Sequence, residues 1–103
     1  MVIPTEHYSK LAKAIGLTDL YFKREDLHPY GSHKGRSIPI MIDHYYKKGD
    51  REFAISSSGN AALATALYVK ELNMKNKEPI NLDIFVGNNI APHKLQKLKE
   101  LAD

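Results

Sequence analysis

Two segments of this sequence hold residue types suited to amine chemistry beside an anion site. The first is Gly31-Ser32-His33-Lys34-Gly35-Arg36, and the second is Ser56-Ser57-Ser58-Gly59-Asn60. A lysine ε-amine condenses with an aldehyde when part of it is uncharged. Lys23, Arg24 and Arg36 lie close in sequence, and nearby cations disfavour the ammonium form. Gly31 and Gly35 bracket the lysine region and allow backbone and ligand to approach closely. Taken alone, Lys34 is an ordinary exposed lysine. The second segment gives it a chemical context.

Ser56 to Asn60 runs from a short apolar stretch into an alanine-rich one, so it reads as a strand-to-helix corner. The free N–H groups and dipole of such a helix start attract a carboxylate or phosphate. Ser57 and Ser58 add hydroxyl donors, Gly59 removes a side chain from the contact face, and Asn60 can donate to an oxygen. The plainer reading is ordinary helix capping by serine.

The elements that must hold these segments follow from apolar spacing. Residues 5–15 carry Tyr8, Leu11, Ala12 and Ile15 at helical intervals, ended by Gly16. Residues 19–24 read as a strand. Residues 37–48 carry Ile38, Met41, Ile42, Tyr45 and Tyr46, a wide helical stripe closed by Gly49. Phe53–Ile55 is a short strand, and the run from Gly59 to Met74 is a helix apolar nearly all round, hence buried. Leu82–Val86 is the third strand, and Pro92–Ala102 a last helix with Leu95, Leu98 and Leu101 inward. Strands alternating with helices imply an α/β fold, an open three-layer parallel sheet with right-handed crossovers. Ligands in such sheets sit off the carboxyl ends of the strands, where both segments are expected.

Composition narrows the field. The chain has 103 residues, 43% hydrophobic and 26% charged, which suits one small globular unit, residues 1–103. Without cysteine there is no disulfide, thiolate metal site or cysteine nucleophile, and a reducing cytoplasm fits well. No apolar run is long enough for a membrane helix. The net charge of +3 comes from scattered lysines and arginines interleaved with acids, so nucleic acid is not the expected partner. A mild positive excess does suit a small anionic ligand.

The motifs together resemble the fold-type-II, or tryptophan synthase β-like, pyridoxal-phosphate enzymes, which include threonine synthase and the serine and threonine dehydratases. The residues that carry the resemblance are Lys23-Arg24-Glu25-Asp26-Leu27, Pro29-Tyr30-Gly31-Ser32-His33-Lys34-Gly35-Arg36 and Ser57-Ser58-Gly59-Asn60. Ile3-Pro4-Thr5 and Lys94-Leu95-Gln96-Lys97-Leu98 add to it. The resemblance implies that Lys34 forms the Schiff base with pyridoxal 5'-phosphate and later takes the substrate α-proton. It implies that Asn60 meets the cofactor's ring hydroxyl oxygen, that Ser57, Ser58, Gly59 and Asn60 grip the carboxylate of an amino-acid substrate, and that His33 lies near the cofactor phosphate. The implied reaction is elimination or replacement at the β or γ carbon. Tyr30 and Gly35 depart from the family's usual residues, and Pro39 falls early in the following helix, so the resemblance leaves the substrate open.

Relatives of this kind are several times longer, with the cofactor held between two domains. A glycine-rich phosphate loop is expected of them, and the glycines here, 16, 31, 35, 49, 59 and 87, do not cluster. The sequence is therefore read as an N-terminal fragment, inactive alone. Its open strand edge invites self-association or a companion chain. The rival reading is a non-catalytic α/β module that binds an anion or a protein partner at the Ser56–Asn60 helix start.

Overall fold

The computed structural model describes residues 2–57 and 59–102; Ser58, one of the expected carboxylate ligands, lies outside them. Strand β1 (Thr5–His7) pairs antiparallel with β2 (Tyr21–Lys23), Thr5 opposite Lys23 and His7 opposite Tyr21. Between them lies the short helix α1 (Ser9–Ala14). The helical spacing of residues 5–15 misassigns its first three residues. Their backbone finds partners in β2, extended by Tyr8 N–H on Leu20 O and Arg24 N–H on Pro4 O, both at 2.9 Å. Cross-strand rings reinforce the pairing: His7 stacks on Tyr21 at 4.8 Å, and Tyr8 meets Phe22 edge-on at 5.0 Å. The strand at 19–24 thus belongs to this antiparallel pair and not to the parallel sheet.

A single 3-10 turn, Glu25–Leu27, leads to α2 (Lys34–Lys47). This helix starts three residues before the expected residue 37 because Ser32, which is buried, holds the first turn. Ser32 Oγ accepts Lys34 N–H at 3.2 Å and its carbonyl accepts Gly35 N–H at 3.1 Å. Pro39 lies in the second turn and has no N–H for the Gly35 carbonyl, so the helix begins one bond short. Ile38 and Ile42 are buried as the stripe implied, whereas Met41 and Tyr45 face outward, 48% and 44% exposed. The buried face of α2 is narrower than its apolar face.

Strand β3 (Glu52–Ser56), helix α3 (Asn60–Lys75) and strand β4 (Asn81–Phe85) form a β-α-β unit, with β3 and β4 parallel from Glu52↔Asn81 to Ser56↔Phe85. Ala62, Ala64, Thr65, Ala66 and Val69 of α3 are buried, and these small side chains let α2, β4 and α4 (Pro92–Leu101) approach it. Ile38, Ile42, Ala64, Val69 and Ile80 form the core, flanked by Tyr46, Phe53, Leu72 and Leu82. Asn73 clamps the α3–β4 connection: its Nδ2 donates to Ile80 O at 2.9 Å, and Ile80 N–H donates to its Oδ1 at 2.7 Å.

The α/β class, the β–α units and the parallel pairing are as the sequence implied. Among the described residues the parallel sheet has two strands, and helices cover one face of it. Phe53, Ile55, Leu82 and Ile84 are half-buried, while Ala54, Asp83 and Phe85 on the other face are exposed. The radius of gyration is 17.1 Å, against about 13 Å for a self-contained domain of this size. The molecule is open, with much apolar surface uncovered.

Candidate functional site

Lys34 is the first residue of α2 and is exposed. It does not follow a strand of the parallel sheet, as expected, but a loop anchored on three sides. Glu25 ties the 3-10 turn to α2: its Oε1 accepts from Arg36 Nη2 at 2.7 Å and Nε at 2.8 Å. The Arg36 bond holds the Glu25 carboxyl below the usual carboxylate range. Arg24 bridges Glu6 and Asp26, each at 2.7 Å, and the Lys23 amine donates to Ile3 O. Asp26 is lowered by its bond from Arg24, and Glu6 by bonds from the Tyr8 hydroxyl and then Arg24. The cations near Lys34 in sequence are therefore engaged in structural bonds of their own.

The same loop is fixed to α3. The Tyr30 hydroxyl donates to Glu71, and its ring meets Tyr68 edge-on at 5.7 Å. Burial and then the Glu71 bond push the Tyr30 phenol up to about 12. Tyr68, bonded to Asp43 of α2, is raised by burial and then by that bond. Gly31 has φ +90°, a left-handed conformation suited to glycine. A Cβ there would stand 2.8 Å from Leu63 Cδ2, in the first turn of α3. The loop that leads into Lys34 and the start of α3 thus meet at Gly31 and Leu63.

At that helix start, Ser57 continues the parallel ladder, its N–H on Phe85 O at 3.2 Å, and its Oγ accepts Gly59 N–H at 3.3 Å. Ser57 thus closes a local turn ahead of the helix, whose N-cap, Gly59, has no side-chain cap, and accepting this bond leaves the Ser57 O–H as a donor. Asn60 is the first residue of α3 and is exposed. Gly59, Asn60 and Leu63 line a small groove, about 50 Å³, completed by Lys94, Lys97 and Leu98 of α4. A Cβ on Gly59 would meet nothing within 4 Å, so that face of the backbone is open. Lys34 and His33 do not line this groove, and His33 makes no side-chain cap to α2. In the sequence Lys94 and Lys97 stand out only as part of the Lys94–Leu98 motif. Their three-residue spacing puts both on one helical face, but only packing brings that face to Asn60.

A family model described as pyridoxal-phosphate dependent enzyme matches residues 2–102. The chain belongs to the pyridoxal-phosphate dependent enzyme family. It is 34% identical over 65 residues to threonine synthase of Methanosarcina acetivorans, a match covering 63% of this chain and 16% of that protein. It is 32% identical over 96 residues to L-serine dehydratase/L-threonine deaminase of Mus musculus, covering 93% of this chain and 27% of that protein. Among solved structures, a pyridoxal 5'-phosphate-dependent aspartate racemase superposes with TM-score 0.78 at 20% identity, over 99% of this chain and 31% of that one. The apo form of Escherichia coli diaminopropionate ammonia lyase does so with TM-score 0.70 at 17% identity, over 98% of this chain and 30% of that one. At those identities the two structures establish the fold. The chain spans about a quarter or less of the length of these curated relatives.

The residues present suit the cofactor of this pyridoxal-phosphate dependent family. An amine sits on one rigid corner, and an open glycine, an amide side chain and two ammonium groups surround the adjoining helix start. Among the described residues no cluster of three or more His, Asp or Glu could hold a metal ion, and no helix is long and apolar enough to cross a membrane.

Proposed function

We propose that this chain supplies the lysine-bearing part of a pyridoxal 5'-phosphate-dependent enzyme that eliminates or replaces a group at the β or γ carbon of a small amino acid. The observation that carries the reading is the meeting of the Lys34 loop with the α3 start through Gly31 and Leu63. Lys34 Nζ would hold the cofactor through its aldehyde group and would take the substrate α-proton. When bound, the cofactor supplies the electron sink for the resulting carbanion. Asn60 would donate to the ring oxygen, Ser57, Ser58 and Gly59 would hold the substrate carboxylate, and His33 would serve the phosphate. The names of the relatives, threonine synthase and L-serine dehydratase/L-threonine deaminase, favour a hydroxy amino acid such as serine or threonine as ligand.

Alone, the chain binds the cofactor weakly and turns nothing over, and further polypeptide covers the exposed sheet face around Phe85, which is 63% exposed. A cytoplasmic location suits the cysteine-free sequence. The test is incubation with pyridoxal 5'-phosphate, borohydride trapping and peptide mapping. Selective label on Lys34, lost in Lys34→Ala, is expected; equal label across surface lysines overturns the reading. Rapid ammonia release from serine by the isolated chain overturns its inactivity. A second reading, an anion-binding module without catalysis, draws on the groove of Asn60, Lys94 and Lys97. It predicts phosphate binding that Lys34→Ala leaves intact, with no trapped adduct.

A further inference from the structure

Gly35, the residue after Lys34, is not in a left-handed conformation, so its backbone does not call for glycine. What calls for it is His28. A Cβ on Gly35 would overlap His28 Cε1 and lie 2.5 Å from His28 Nδ1 and 2.9 Å from Tyr30 Cβ. The imidazole is thus seated on the bare Cα at the first turn of α2. Its Nδ1 accepts Tyr30 N–H at 3.1 Å, and the two rings lie 5.6 Å apart. Tyr30 is itself fixed to α3 through Glu71 and Tyr68. A chain of contacts therefore runs from α3 through Tyr30 and His28 to the turn that carries Lys34. Pro39 leaves the Gly35 carbonyl without its α-helical donor, so this turn carries one helical bond fewer than a regular one.

We propose that His28 is the positioning residue for Lys34: seated on Gly35 and bonded to Tyr30 N–H, its imidazole sets the direction in which the first turn of α2 presents the amine. His28 and Gly35 act as a matched pair, each making room for the other. The proposal rests on the reading of Lys34 as the cofactor-holding amine. His28 touches backbone and the Tyr30 ring, so its effect on that amine passes through the fold.

The experiment uses the 103-residue chain, pyridoxal 5'-phosphate as probe, borohydride trapping with peptide mapping, and amide exchange at Tyr30 and Lys34 without the probe. His28→Ala is expected to slow Lys34 labelling about tenfold and to speed exchange at the Tyr30 amide, while labelling of other lysines stays unchanged. His28→Asn should recover most of the rate, since an asparagine side-chain oxygen can accept the N–H two residues on. Gly35→Ala should slow labelling in the parent and cost much less in the His28→Ala background. Parent-like Lys34 labelling in His28→Ala overturns this proposal alone, as does His28→Asn labelling no faster than His28→Ala. Absence of selective Lys34 label in the parent overturns the cofactor reading, and this proposal with it. The histidine variants decide the matter even if Gly35→Ala fails to fold.

Discussion

The junction between the Lys34 loop and α3 is open to a direct energetic test through Gly31→Ala. Holding alanine at φ +90° costs about 1–2 kcal/mol, and loss of unfolded-chain entropy returns about 0.4–1 kcal/mol of that. The new methyl would stand 2.8 Å from Leu63 Cδ2. Relieving that contact by turning the leucine off its preferred rotamer adds about 1 kcal/mol. The sum is about 2 kcal/mol, or a fall in melting temperature of about 10 °C for a chain of this size. In a Leu63→Ala background the steric part vanishes and the backbone part stays, so the same change should cost about 1 kcal/mol. Urea melts of the four proteins give the coupling, and lysine mapping shows whether Lys34 labelling falls with it. A harmless Gly31→Ala, or an equal cost with and without the Leu63 side chain, refutes the close approach of loop and helix.

Two further expectations concern pH. Glu25, Glu6, Asp26 and Glu71 are all depressed in the folded chain, chiefly by bonds from Arg36, Tyr8, Arg24 and Tyr30 respectively. Their contribution is complete above the ordinary carboxylate range and is lost as pH falls below about 4. Melts between neutral and acid pH should show this loss, and Arg36→Gln should flatten it. At the other limb, Tyr30 titrates at about 12 in the folded chain, so its stabilising effect persists below about pH 10 and disappears as pH rises toward 12. Ultraviolet titration should show one late-ionising tyrosine missing in Tyr30→Phe. A variant with an unchanged alkaline profile refutes the assignment.

Apolar spacing by itself determined the alternation of helices and strands from residue 37 onward and the alanine-rich α3, and residue types marked the Ser-to-Asn corner at its start. Those features are local: periodicity and helix-start chemistry act within a few residues. The motif order likewise led to the pyridoxal-phosphate dependent family, because residue identity at fixed spacing survives without coordinates. Tertiary structure alone decided the rest. Thr5–His7 became a strand since the partner that satisfies its backbone lies sixteen residues away, and a helical period cannot report that pairing. The buried face of α2 excluded Met41 and Tyr45 because α3 covers less of the helix than its apolar stripe offers. The contact of Gly31 with Leu63, the seat of His28 on Gly35 and the placing of Lys94 and Lys97 beside Asn60 all join residues far apart in hydrogen-bond or side-chain reach along the chain. Van der Waals packing sets such meetings, and it acts on surfaces that exist only after the chain has folded.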